Sequence, residues 1–223
     1  MAFESAAVRD RKHHGRIIIA NKMTLENRLS ITDSDELARE EERISKKKAA
    51  RLFDNKLLDA FEVGTFAGLA AIHKYLFEGI YYFAGEICTV NLVKGSFRFA
   101  PLIYLQAALD NIDKMPQSNF DEIIENYVEM NIAHPFREGN GRSIRIWLDC
   151  IFKKEIGKVI DWSKVEKEDY LLAMERSPIK EVEIKVLLKG AITDEINSRE
   201  VYMKGIDQSY YYEGFTAFKT EEL

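Results

Sequence analysis

An all-α fold carrying one small β-hairpin is the class this sequence predicts, and three observations predict it. Apolar residues recur at helical spacing through most of the chain, as in Phe120, Ile123, Ile124, Tyr127, Val128 and Ile132. Only residues 86–99 alternate with a period of two. Hydrophobic residues make up 46% and charged residues 31% of the 223 positions, a balance that suits a globular core and excludes a mainly disordered chain.

The elements follow in order. Residues 1–24 read as an irregular N-terminal arm, and 25–223 as a single domain. In the arm, Arg9, Arg11, Lys12 and Arg16 read as a solvated basic tail, and His13 and His14 have no partner at metal-ligand spacing. Ser34 to about Asp54 is helical, with Leu37, Ile44, Ala49, Ala50, Leu52 and Phe53 set into a charged face. Thr65 to about Tyr75 is a compact apolar helix, and its His73 reads as a satisfied structural group. Residues 86–99 read as a hairpin turning at Lys94-Gly95-Ser96. Pro101 to Lys114 is helical and stops before Pro116. Ser118, with Asp121 three positions on, reads as the start of a helix running to about Ala133. Another runs from about Gly141 to Ile156, and further helical stretches cover about 166–176, 179–190, 193–203 and 206–213.

Several function classes are excluded early. A net charge of −5 disfavours a dominant role in direct nucleic-acid binding. Cys88 and Cys150 form neither a metal motif nor a disulfide framework, which fits a reducing, cytoplasmic setting. No window approaches 18 consecutive apolar residues, and the Ile17–Ala20 run is too brief for a signal peptide, so no membrane association is expected.

The chemistry concentrates between the two long central helices, in His134-Pro135-Phe136-Arg137-Glu138-Gly139-Asn140-Gly141-Arg142-Ser143-Ile144-Arg145. Gly139 and Gly141 permit positive φ and close approach of a ligand to the backbone. The helix that opens here turns its unpaired N–H groups and positive dipole end toward the turn, which suits an anion and phosphate above all. Arg142 and Arg145, three apart on the first turn, offer forked donors for further phosphates. Glu138 beside phosphate calls for a cation between them, and one carboxylate plus phosphate oxygens is how Mg²⁺ is usually held. His134, with an ordinary pKa near 6.5, suits a general base. Together these groups describe phosphoryl or nucleotidyl transfer. No GxxxxGK(S/T) element is present, so the site is not a P-loop.

This segment matches the signature HxFx(D/E)GNGRxxR of the Fic family at every position, and the chain resembles Fic proteins from the Glu62–Phe83 region through the hairpin to the C-terminus. The resemblance implies a single Fic domain that transfers AMP from ATP to a Tyr, Ser or Thr hydroxyl of a target protein. By that resemblance His134 takes the hydroxyl proton and Glu138 holds Mg²⁺. Asn140 and nearby backbone N–H groups bind the α-phosphate, and Arg142 and Arg145 bind the β- and γ-phosphates. Gly141 favours AMP transfer, since the Doc-like relatives that phosphorylate carry Lys there. The hairpin resembles the family's flap, which pairs with target backbone by strand addition, with Lys94, Gly95 and Phe97 as contacts. Packing on the core is the competing role for the flap phenylalanines.

The segment Ile206 to Gly214 adds a brake. Ser209 and Glu213 lie four apart, on one helix face, and complete the Fic inhibitory motif (S/T)xxxE(G/N) in the C-terminal place of the class III members. An ion pair from Glu213 to Arg145 is expected. Thr32 to Glu36 is a weaker match, because Leu37 follows. Tyr210 is expected as a site of self-modification. The alternatives are removal of AMP from the same target with Glu213 assisting a water, and a non-catalytic nucleotide-sensing module. The target is unnamed by the sequence, although some bacterial, toxin-like relatives act on type II topoisomerases. Relatives of this class also associate, so the resemblance includes a homo-oligomer among the expected partners.

Overall fold

The computed structural model describes residues 24–95 and 97–223. The arm expected at 1–24, apart from Thr24, lies outside the described residues.

Eight α-helices and two short antiparallel ladders form the described part. α1 spans Ser34–Asp54, α2 Phe66–Phe77, α3 Leu102–Ile112 and α4 Phe120–Ala133. α5 spans Asn140–Ile156, α6 Lys167–Arg176, α7 Val182–Ala191 and α8 Arg199–Tyr212. Local chemistry sets the starts. Asp33 caps α1 by accepting from Asp35 and Glu36 N–H at 3.0 and 2.8 Å, and Thr65 caps α2 by accepting from Gly68 N–H at 3.1 Å. The cap of α4 is Asn119 rather than Ser118: Asn119 Oδ1 accepts from Asp121 and Glu122 N–H at 3.1 Å. The reciprocal bond runs from Ser118 N–H to Glu122 Oε2, so the expected capping pattern is shifted along by one residue.

α5 is the axis of the molecule, packed between α4 and α2. Trp147, Leu148, Ile151 and Phe152 are wholly buried, and so are Arg142, Ser143 and Arg145 at its start. Burying each large apolar side chain contributes about 1.5–3 kcal/mol. The buried arginines persist only because each is paired. α8 closes the other side, against α1 and the turn at Trp162–Lys164.

The C-terminal reading needs correction. The stretches expected at 193–203 and 206–213 are one helix, α8, because Gly205 continues the helix in close contact with Trp162. Residues Ile192–Thr193 instead form a ladder with Val159–Ile160, a strand pair too short to announce itself by alternation. The expected hairpin is shorter than 86–99. β1 is Val93–Lys94 and β2 is Phe97–Arg98, paired Val93 to Arg98 and Lys94 to Phe97. The residues before Leu92 are tied elsewhere: Cys88 N–H donates to the Pro135 carbonyl at 2.7 Å, and Leu102 N–H donates to Asn91 Oδ1 at 2.8 Å, while Leu92 still meets the other strand by accepting from Phe99 N–H at 3.3 Å. No described helix is long and apolar enough to cross a membrane. Cys88 and Cys150 are free thiols.

Candidate active site

The loop between α4 and α5 is built to hold an imidazole and open a helix end. His134 terminates α4 in the left-handed region at φ +49°, its N–H bonded to the Met130 carbonyl at 3.0 Å. Its ring stacks on Phe99, just after the hairpin, with centroids 3.6 Å apart, and Nδ1 is buried short of a formed hydrogen bond. Burial, then Lys94, hold its pKa down at about 3, against smaller upward pulls from Glu213 and the Asn131 carbonyl. The ring is therefore a neutral acceptor at physiological pH.

His73 braces this loop. Its Nε2 donates to the Glu138 carbonyl at 2.8 Å while Nδ1 accepts from Gly85 N–H at 2.9 Å, and the ring stacks on Phe136 at 3.8 Å. The structural role expected for it is the one it plays. Asn140 braces the loop from within: its amide accepts from Phe136 N–H at 2.8 Å and donates to the Phe136 carbonyl. Gly139, at φ +77°, caps α5 without any side-chain bond and has no room for a Cβ, which would press into Phe77. Gly141 is helical rather than at positive φ. Its missing side chain serves close approach instead, because a Cβ there would overlap the Glu213 carboxylate.

The two arginines meet the C-terminal helix. Arg145 Nη2 donates to Glu213 Oε1 at 2.8 Å and to the Ser209 carbonyl at 2.9 Å, while Nε donates to Ser209 Oγ at 2.7 Å and Nη1 to Tyr170 Oη at 3.2 Å. Arg142 Nε pairs with Glu213 Oε2 at 2.8 Å, in ion-pair rather than well-aligned hydrogen-bond geometry. Glu213 thus bridges both arginines, one more than expected, from the C-cap of α8. Arg142 Nη2 also donates to Glu138 Oε1 at 2.9 Å, and Nη1 donates to Glu41 of α1. The rings of Phe77, Tyr210 and Phe215 surround the Arg142 guanidinium at 5.0, 5.2 and 4.7 Å.

The carboxylates feel this crowding differently. Burial and then Glu41 raise the Glu138 carboxyl, against the pull of Arg142. Burial also raises Glu213, but Arg142, Arg145 and Lys94 overcome it and the net shift is downward. Among the described residues no group of three or more His, Cys, Asp or Glu side chains could hold a metal ion.

α8 is pinned by a second buried network. Lys46 of α1 lies 3.0 Å from both Glu42 Oε1 and Asp207 Oδ1 and donates to the Phe218 carbonyl at 2.7 Å. Glu42 accepts from Ala217 and Phe218 N–H, and Asp207 from Thr220, so the tail after α8 is folded back on α1. Tyr210 is 1% exposed in this arrangement, beneath that tail. The docked helix therefore does not present Tyr210 as the expected modification site, and Tyr211 is the exposed member of the three tyrosines. At the hairpin, Gly95 sits at φ +60° with open space around it, and Phe97 packs edge-on against Phe99 at 5.1 Å. Lys94 is half-buried and close enough to His134 and Glu213 to influence both. Glu41, Tyr170 and Phe99 had no signal in the sequence: each joins the site through tertiary packing alone.

Residues 65–152 match the Fic/DOC family. The chain is 29% identical over 197 residues to the protein adenylyltransferase VbhT of Bartonella schoenbuchensis, a match spanning 82% of this chain and 40% of VbhT. It is also 29% identical over 167 residues to the probable protein adenylyltransferase y4lH of Sinorhizobium fredii, spanning 69% of this chain and 82% of that protein. Its fold is that of the N-terminal Fic domain of a Bartonella effector protein from Bartonella sp. AR 15-3, with a TM-score of 0.66 at 20% identity over 85% of this chain and 96% of that one. BepC of Bartonella tribocorum, solved with bound AMPPNP, gives 0.63 at 19% identity over 76% and 92% of the two chains.

Proposed function

We propose that this chain, a member of the Fic/DOC family through residues 65–152, transfers AMP from ATP to a hydroxyl group of a target protein and is held shut by Glu213. The observation that carries this reading is the double bridge from Glu213 to Arg142 and Arg145 at 2.8 Å each. A carboxylate sits between two guanidinium groups much as phosphate oxygens would. The adenylyltransferase names of VbhT and y4lH support the reaction class, and the AMPPNP held by BepC supports the nucleotide.

In this reading a Tyr, Ser or Thr hydroxyl of the target reaches His134, and the neutral imidazole takes its proton. The oxygen attacks the α-phosphorus, the bond to the bridging oxygen breaks, and pyrophosphate leaves with its charge held by Arg142 and Arg145. The open N-terminus of α5 near Gly139 and Gly141 faces the α-phosphate. Asn140, whose amide is tied to Phe136, keeps that loop in shape. Glu138 suits Mg²⁺ by its donor chemistry: it is a single carboxylate whose contacts both fall on Oε1, so phosphate oxygens would complete the shell. The ion would offset triphosphate charge. The target would dock along the hairpin tip at Lys94, Gly95 and Phe97 by strand addition.

Removal of AMP with Glu213 activating water is the second reading. It is less favoured because Glu213 is committed to two arginines, which leaves neither carboxylate oxygen free to take a proton from water. A purely nucleotide-sensing module has no use for His134. Labelled-ATP transfer in lysate decides among them. The Glu213→Gly variant is expected to label a lysate protein, and Glu213→Gly with His134→Ala to label none. Equal labelling by the two variants rejects the reading.

A further inference from the structure

Three carboxylates hold Arg142, and they come from three parts of the chain: Glu138 from its own loop, Glu213 from the end of α8, and Glu41 from the middle of α1. Their fates differ in the reaction proposed above, on which this inference rests. Glu213 must withdraw before triphosphate enters, and Glu138 turns toward the cation. Phe215 and Tyr210, which cover the guanidinium, belong to the same departing segment as Glu213. What stays is Glu41, 3% exposed, accepting from Arg142 Nη1 and from the hydroxyl of Tyr81.

A free arginine side chain has many rotamers, and their entropy opposes any single pose. Left without a fixed partner in the open state, it would disperse away from its phosphate-binding pose. The geometry points to Glu41 as a positioning residue: it fixes the Arg142 guanidinium through Nη1, so that Nη2 and Nε face the triphosphate once Glu213 has left. Tyr81 holds Glu41 in turn, its ring stacked on Phe83 at 4.7 Å. The nucleotide site then includes α1, which lies outside the family match at 65–152.

The charge on Glu41 also repels a triphosphate, and relief of that repulsion alone would tighten binding. The sign of the change in affinity therefore separates orientation from repulsion. The test measures binding of a non-hydrolysable ATP analogue, and of AMP, to full-length Glu213→Gly protein with and without Glu41→Gln, alongside kcat and KM for transfer. Glu41→Gln is expected to weaken the analogue about tenfold and raise KM for ATP to match, as loss of one charged hydrogen bond implies. AMP binding and kcat are expected to stay within about twofold, because AMP carries neither β- nor γ-phosphate. Tyr81→Phe, which leaves Glu41 in place but unbraced, should move the analogue in the same direction by less, and it carries the comparison if Glu41→Gln fails to fold. Unchanged or tighter analogue binding overturns the inference. So does an equal loss of analogue and AMP, which is the mark of a general structural role. A Glu213→Gly protein that binds the analogue but labels no target rejects the transfer reading and leaves this comparison intact.

Discussion

Replacing Glu213 with glycine removes one carboxylate and leaves the helix that carries it in place. Met203, Ile206, Tyr210 and Tyr212 keep α8 buried against the domain, and Glu213 itself sits at the C-cap, beside Gly214. The variant therefore separates charge from docking. The Arg145 contact at 2.8 Å is a charge-assisted hydrogen bond, of the kind that contributes about 1.5–3 kcal/mol, and the Arg142 contact at the same distance adds an ion pair. Burying the Glu213 carboxylate costs several kcal/mol of that gain. A net bias of about 2–3 kcal/mol toward the closed state remains. At 1.36 kcal/mol per tenfold, the release should raise AMP transfer roughly 30- to 150-fold. The assay is incorporation of label from α-labelled ATP into lysate protein, across an ATP titration. Glu213→Gln, which keeps the shape and loses the charge, should recover most of the gain. Superimposable ATP curves for wild type and Glu213→Gly would refute the reasoning, because the bridge would then have no hold on the site.

Other outcomes follow from the same geometry. Lys46→Met leaves Glu42 and Asp207 without their shared cation, and breaking a buried pair costs about 3–5 kcal/mol. Faster hydrogen exchange over residues 199–223 and about tenfold higher labelling with Glu213 intact are expected; unchanged exchange would show that the pin is not what holds α8. His73 is held at about pKa 3, by burial first and then Arg142, so its neutral form is the native one. A depressed folded pKa gives stability that is full above the unfolded value near 6.5 and lost as pH falls toward 3. The stability gap between wild type and His73→Gln in urea unfolding should shrink by about 2 kcal/mol from pH 7 to pH 5, and a constant gap would contradict a neutral His73.

Much of the site was legible because its elements are local. The twelve residues from His134 to Arg145 carry imidazole, open helix end and arginines in one loop and one helical turn, and the fold brings them together at the start of α5. α1 was readable from Ser34 to about Asp54 because its apolar residues recur at helical spacing, while its Asp33 cap emerged only with the fold. Tertiary demands hid the rest. Glu41 and Glu42 sit in a run of charged residues that reads as solvated, yet both are buried by partners from α5 and the tail, more than a hundred residues away. Gly205 reads as a break between helices, but it continues the helix where Trp162 needs space. The alternation from Ile87 to Asn91 reads as strand, while the Cys88 N–H is claimed by the Pro135 carbonyl and the Asn91 side chain by the start of α3.

The cage around Arg142 has one more implication. Two of its three rings, Tyr210 and Phe215, and one of its three carboxylates arrive on a single segment, so the roof and the counter-charge lift together. In the proposed opening, water would reach the guanidinium in the same motion that unmasks its charge. A small inorganic anion could neutralise it but would leave it wet; a nucleotide brings both the negative oxygens and a bulky body to shed that water again.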